Sequence, residues 1–370
     1  MKLRILFLTE YLTGGGAEKA LCELVRLLDR DLFDVTVQSI WQGDPSDLLP
    51  AHVHYRYCHP DTKAARLRFR AEAELGLTYL LHIRDNYDIE VAFHEYAPTK
   101  ILAASTNKTA RKVAWVHCNL RKATKNPADF PKIEGWYRKY DQIVCVSQDV
   151  QAAFHDAFGK RLESVVHHNV LDGAAVLRKA QEPLDLPRSL SPVVCTVGRL
   201  DVPKNHLRLL RAHKQLLDEG LHHSLWIVGE GPDREKLEAY VEAHRLQDSV
   251  TLFGFQQNPY PYMRHADLLV CSSDYEGLST FITEGLVLGK PILTTNCGGM
   301  EELLGNSENG LITENSDSAF TDGLRCLLRD DALRREYAAR ALRAAERFSP
   351  ATQEKTIEAM LLNTFQGSKK

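Results

Sequence analysis

The chain has 370 residues, 44% apolar and 26% charged, with 46 Lys/Arg against 49 Asp/Glu for a formal charge of −3. The length suits two domains, the composition fits neither a disordered, collagenous nor coiled-coil chain, and the slightly acidic balance argues against a nucleic-acid binder. No apolar run approaches the roughly 20 residues of a membrane span or the roughly 7–15 of a secretory leader core, so a cytoplasmic location is expected.

Residues 3–8 read as a strand and 16–29 as a helix, with Leu21, Leu24, Val25 and Leu28 on one face. A strand at 35–41, a helical stretch at 64–83, strands at 89–93, 113–116 and 143–146, a helix at 150–158 and a short strand at 165–166 follow. Residues 169–192, with Gly173, Pro183, Pro187 and Pro192, read as a linker around one short helix. The alternation resumes with strands at 193–197, 224–228, 250–253, 268–271 and 292–295 and helices at 205–218, 233–244 and 280–288. Helices from 318 onward complete the chain, and the tail at 367–370 is expected to fray. Apolar strands alternating with helices predict parallel sheets covered on both faces, hence two doubly wound α/β domains in tandem. The eight scattered cysteines contain no CxxC pair and suggest neither a zinc ribbon nor a disulfide frame.

Ligands of such sheets bind beyond the carboxyl ends of the strands, and three strand-to-helix loops carry the informative residues. Thr13-Gly14-Gly15-Gly16-Ala17-Glu18 opens the first helix, where glycines admit close approach and free amides suit an anion. Lys19 replaces the third glycine of a dinucleotide fingerprint, so the loop is not that motif; alone, it also fits a plain tight turn. The loop after strand 193–197 sets Arg199 and Lys204 five residues apart; they read either as solvated cations or as a pair that neutralises a leaving diphosphate. The third loop contains Glu276 and Glu284, with Gly277 between strand and helix. A helix starting near Ser279 aims the amides of Leu278, Ser279 and Thr280 at an anion, while the carboxylates accept hydroxyls on either side of it. A glycosidase acid–base pair is the other reading of two carboxylates, but it leaves Arg199 and Lys204 unexplained.

With these loops go Val228-Gly229-Glu230-Gly231-Pro232, Phe253-Gly254-Phe255 and Gly298-Gly299-Met300-Glu301-Glu302. Together the sequence resembles glycosyltransferase family 4, retaining enzymes of bacterial polysaccharide type. The resemblance implies the GT-B fold, two Rossmann-like domains facing a central cleft. Residues 1–170 would form an acceptor-binding domain, with a helix near 350–370 packing back on it, and 171–349 a nucleotide-sugar domain. By the same resemblance Arg199 and Lys204 bind the diphosphate, Glu284 the ribose hydroxyls, and Glu276 the donor sugar, with Gly277, Leu278, Ser279 and Thr280 nearby. Glu230 joins the donor set, Gly254, Phe255 and Gln256 line the base pocket, and Gly15 and Gly16 approach the diphosphate. His117, after the strand at 113–116, matches a histidine near the donor sugar and acceptor, completing a catalytic set with Arg199, Lys204 and Glu276. Ser279 stands where the family often has proline.

The implied reaction is hexosyl transfer from a UDP-sugar to a glycan or polyprenyl-diphosphate-linked sugar in capsule, exopolysaccharide or lipopolysaccharide assembly. No side-chain nucleophile for a double displacement stands out. Front-face substitution is therefore expected, the leaving diphosphate helping to deprotonate the acceptor. No cofactor beyond the donor is expected. No cluster has metal-ligand spacing, since His94-Glu95 is followed by Pro98 where H-E-x-x-H needs histidine, so metal-independent catalysis is expected.

Residues 100–139 hold ten Lys/Arg against two acids, and Lys63, Arg66, Arg68 and Arg70 add a second basic stretch. Such clusters suit an anionic lipid surface, with Trp136 and Tyr137 as interfacial anchors; a solvated face or a diphosphate-acceptor pocket is the alternative. Against transfer stand an epimerase or phosphorylase of the same fold and a catalytically degenerate scaffold.

Overall fold

A computed structural model describes the chain except residues 1, 13–14, 46–47, 185, 187–191, 349 and 368–370 and the side chains of 350–354. Thr13 and Gly14 of the first loop and the last three residues of the tail thus lie outside the described residues. The chain divides into Met1–Val170 with Pro350–Lys370, and Leu171–Ser349.

The first unit is built on β1 (Leu3–Thr9), β2 (Phe33–Trp41), β3 (His54–His59), β4 (Ile89–Ala92), β5 (Arg111–Val116), β6 (Gln142–Cys145) and β7 (Ser164–Val166). These form one parallel sheet in the order β3-β2-β1-β4-β5-β6-β7. The central strands are buried nearly throughout, as expected of a sheet covered on both faces. Helix Pro350–Gln366 belongs to this unit, and Glu358 accepts the Asp29 amide at 2.6 Å.

The second unit repeats the plan with β8 (Val193–Val197), β9 (Ser224–Val228), β10 (Val250–Gly254), β11 (Leu268–Cys271), β12 (Ile292–Thr295) and β13 (Leu311–Thr313). Their order is β10-β9-β8-β11-β12-β13, again all parallel. Helix His206–Asp218 seats Leu209, Leu210 and Leu216 against Leu225, Ile227, Phe320 and Leu324. At about 1.5–3 kcal/mol for each fully buried leucine, this face fixes the loop that precedes the helix. Crossing from β1 to β4 and from β8 to β11 leaves a switch point at the carboxyl end of each sheet, where ligands of doubly wound folds bind.

Two sequence expectations are corrected, and one strand carried no sequence signal. Residues 64–83 are not one helix: Lys63–Glu74 and Thr78–His82 are separated at Gly76, whose φ of +69° ends the first. β3 gave no apolar signal because it is an edge strand with half its residues exposed. Tyr137 is no interfacial anchor; it is buried, with its ring 5.0 Å from Phe154 and 5.6 Å from Phe158.

Candidate active site

In the second unit the strand ends bring together residues far apart in sequence. Lys204 closes the turn Val202–Lys204 after β8, and Glu276 lies in the loop after β11. Lys204 Nζ donates to Glu276 Oε1 at 2.5 Å, and Ser273 Oγ donates to the same oxygen at 2.6 Å. Burial works against the lysine charge, but Glu276, Cys271 and Asp201 outweigh it and hold its pKa above the ordinary value. The Glu276 side chain is only 11% exposed, so it is no solvated surface acid.

Helix Thr280–Val287 begins at the Ser279 cap, whose hydroxyl accepts the Ile282 amide. A helix start leaves its first amides without intrahelical acceptors, so the amides at Ser279 and Thr280 suit an anion. Glu284, one turn in and 4% exposed, accepts from Tyr260 at 3.0 Å. Leu278 is buried at the same helix start. Gly299, at φ +76°, crosses so closely that a Cβ there would lie 2.6 Å from the Gly277 carbonyl oxygen. That contact ties the second glycine motif to the Glu276 loop.

The other second-unit residues are arranged more openly. The Arg199 side chain is 74% exposed and 3.6 Å from Asp201, against 29% exposed for Lys204. Gly229, at φ +146°, presses on the Arg199 loop: a Cβ there would meet the Gly198 oxygen at 1.9 Å. Glu230 pairs with Arg234 and lies beside Gly254. Phe255 is 64% exposed just after β10; the Gln256 side-chain amide turns back to the Phe253 carbonyl at 3.0 Å.

Two second-unit residues carried no sequence signal. Arg208 is buried and donates to Asp274, Asp317, Asn315 and the Ser272 carbonyl, bracing the loop that carries Glu276. His206 is buried beside Lys204; burial, reinforced by the Lys204 charge, lowers its pKa to about 4.

In the first unit Gly15 caps helix Gly16–Leu27, and its amide donates to Glu18 at 3.0 Å. A side-chain carboxylate thus sits where the sequence suggests an anion. His117 follows β5. Its backbone amide donates to Glu95, as does that of Cys118 at 2.9 Å, so Glu95 anchors the loop. His117 Nε2 is enclosed with no hydrogen-bond partner, and burial, then His94, drives the ring's pKa well below the usual value. The His94 ring is 5.6 Å away, and its Nδ1 is 2.7 Å from Thr9 Oγ1. Tyr96 holds φ +59°, a strained conformation for a bulky residue that costs about 1–3 kcal/mol and recurs at functional sites. A separate apolar pocket of about 330 Å³ in this unit is lined by Phe69, Tyr79, Ile101 and Trp136 and rimmed by Lys100 and Lys139.

Comparison with known proteins agrees with this geometry. The family model described as Glycosyltransferase Family 4 matches residues 14–174, and that described as Glycosyl transferases group 1 matches 185–344. The chain is 33% identical to the N-acetylgalactosamine-N,N'-diacetylbacillosaminyl-diphospho-undecaprenol 4-alpha-N-acetylgalactosaminyltransferase of Campylobacter jejuni, over 91% of this chain and 93% of that one. It is 29% identical to the lipopolysaccharide core biosynthesis glycosyltransferase LpsD of Rhizobium meliloti, over 64% and 67% of the two chains. Among solved structures, Anabaena Alr3699/HepE in complex with UDP-glucose superposes with a TM-score of 0.78 at 21% identity, covering 98% of this chain and all of that one. Sucrose-phosphate synthase from Thermosynechococcus elongatus reaches 0.82 at 17% identity, with 99% and 100% covered. These likenesses and the two parallel sheets define the GT-B fold. The chain belongs to glycosyltransferase family 4 and is a hexosyltransferase of that type.

Proposed function

We propose that this enzyme moves a hexosyl or N-acetylhexosaminyl group from a UDP-sugar to a lipid-linked sugar during assembly of a surface polysaccharide, with retention and without a catalytic metal. The observation that carries the reading is the Lys204/Glu276 pair beside the Thr280–Val287 helix start. It concentrates one cation and a set of amides at a single strand end, the requirement of a departing diphosphate. On donor binding Lys204 would turn from Glu276 to the diphosphate, joined by Arg199, leaving Glu276 to accept hydroxyls of the sugar. Glu284, pre-oriented by Tyr260, would take the ribose hydroxyls; Phe255 would cover the base, and Glu230 would border it. The backbone of Gly277, Leu278, Ser279 and Thr280 would cradle the phosphates, while Gly15 and Gly16 would approach once Glu18 releases the Gly15 amide.

His117 is the first-unit group proposed to meet the acceptor: its enclosed, unpartnered Nε2 can bind a hydroxyl, and the low pKa keeps it neutral. The departing phosphate, not an enzyme nucleophile, would take the acceptor proton on the same face of the sugar. The Campylobacter relative, named for an alpha linkage to a diphospho-undecaprenol sugar, and the Rhizobium relative, named for lipopolysaccharide core biosynthesis, support this acceptor class. The apolar pocket with its lysine rim suits the junction of a lipid and its diphosphate, with the basic stretches against an anionic membrane. Among the described residues no helix is long and apolar enough to cross a membrane.

The test is product analysis with UDP-hexoses and UDP-N-acetylhexosamines, a polyprenyl-diphosphate sugar acceptor and EDTA. An α-linked product from one donor is expected. Free sugar alone, or a product that forms only with added divalent metal, overturns the reading.

A further inference from the structure

We infer that His59, Glu72 and His82 form a metal site in the first unit whose donor set suits Zn²⁺, separate from the transfer chemistry. His59 ends β3, Glu72 lies in the last turn of helix Lys63–Glu74, and His82 ends helix Thr78–His82. Their ligand atoms all lie within 4.8 Å of one another. Both histidines aim Nε2 at one carboxylate oxygen, Glu72 Oε2, from 3.2 Å (His59) and 2.8 Å (His82). A tetrahedral Zn²⁺ with bonds of about 2.0–2.1 Å holds neighbouring donors about 3.3 Å apart, close to the spacing of each histidine nitrogen from Glu72 Oε2.

The independent sign of a ligand is His59. It is 2% exposed, and its Nε2 approaches Glu72 Oε2 at 3.2 Å without the alignment of a hydrogen bond. One carboxylate oxygen is thus approached by two imidazole nitrogens, so three metal-ligating atoms converge at one point. Arg68 holds the other carboxylate oxygen at 2.7 Å, an outer partner that turns Oε2 toward the imidazoles. The Trp41 and Phe69 rings close over His59 at 5.8 and 5.7 Å. The His82 side chain is 14% exposed, which leaves an access route and a fourth position for water. Two histidines and one carboxylate suit Zn²⁺ better than Mg²⁺ or Ca²⁺. Bound there, the ion would pin the edge strand β3 to the two helices that follow it, the first of which carries Lys63, Arg66, Arg68 and Arg70.

The test is titration of chelator-stripped, untagged full-length protein with Zn²⁺ by calorimetry, and with Co²⁺ by visible absorption. One Zn²⁺ per chain and the intense bands of four-coordinate Co²⁺ are expected. Zinc affinity should fall more than about a hundredfold in His59→Ala and Glu72→Gln, and about 10–100-fold in Arg68→Ala, whose side chain is only an outer partner. UDP binding, measured on the same samples, should be unchanged. Absence of saturable uptake by the wild type, a weak six-coordinate Co²⁺ spectrum, or equal uptake by the variants overturns the site.

Discussion

The two strand-end sites handle charge in opposite ways. In the second unit every central charge already has a partner: Lys204 with Glu276, Arg208 with Asp274 and Asp317, Glu284 with the Tyr260 hydroxyl. In the first unit the group at the corresponding position is a neutral imidazole with an unused nitrogen, beside a strained tyrosine backbone. The contrast teaches how each half meets its substrate. On the proposed reading, a charged donor would enter by exchanging partners in an already paired network. On the same reading, an uncharged acceptor hydroxyl would be met by the unpartnered His117 Nε2.

The largest expected effect breaks the paired network. Lys204→Ala should lower kcat by about 10²–10³, the scale for losing one group that stabilises developing charge, and stopped assays with saturating donor measure it. A fall confined to KM would mean that Lys204 merely binds.

Next in size is Arg208→Ala. It removes hydrogen bonds to two carboxylates, each such charged bond being worth about 1.5–3 kcal/mol, though Asp274 and Asp317 are about half-exposed and solvent screens them. A loss of about 2 kcal/mol in urea unfolding is expected, together with weaker donor binding because the Glu276 loop loses its brace.

The most gradual effect is a pH slope. Burial, and then His223, lowers the His213 pKa to about 3; burial, and then Lys204, lowers that of His206 to about 4. Below an unfolded value near 6.5 the unfolded chain therefore binds protons that the folded chain does not, so stability falls as pH drops from about 6.5 toward 4. Each histidine contributes up to about 1.4 kcal/mol per pH unit. His213→Gln should flatten the decline of Tm with acid; an unchanged slope would show that His213 takes up a proton in the folded state.

Much of this architecture could be read from residue order. Continuous apolar runs announced β1, β8, β11 and β12, whose residues are almost all buried. β3 was invisible because an edge strand alternates in exposure without an apolar face, and Gly76 was too small a mark inside a helical pattern to show a break. The spacing of Glu276 and Glu284 marked the loop after β11 and its helix start, to which a donor role is proposed. The pairing of Lys204 with Glu276 spans 72 positions and follows only from the adjacency of β8 and β11. Glu95, Arg208 and the His59, Glu72 and His82 cluster were hidden for the same reason: lone polar residues carry no periodicity, and their convergence belongs to the sheet order.

The central claim is that the donor nucleotide is held at the Lys204, Glu276 and Glu284 end of the second sheet. Calorimetric titration of UDP into the wild type and Glu284→Ala, both in EDTA, tests it most directly. Saturable binding without metal that weakens about 10–100-fold in the variant is the predicted result, matching the loss of charged hydrogen bonds to ribose. Equal affinity in both proteins, or no binding until a divalent metal is added, would contradict it.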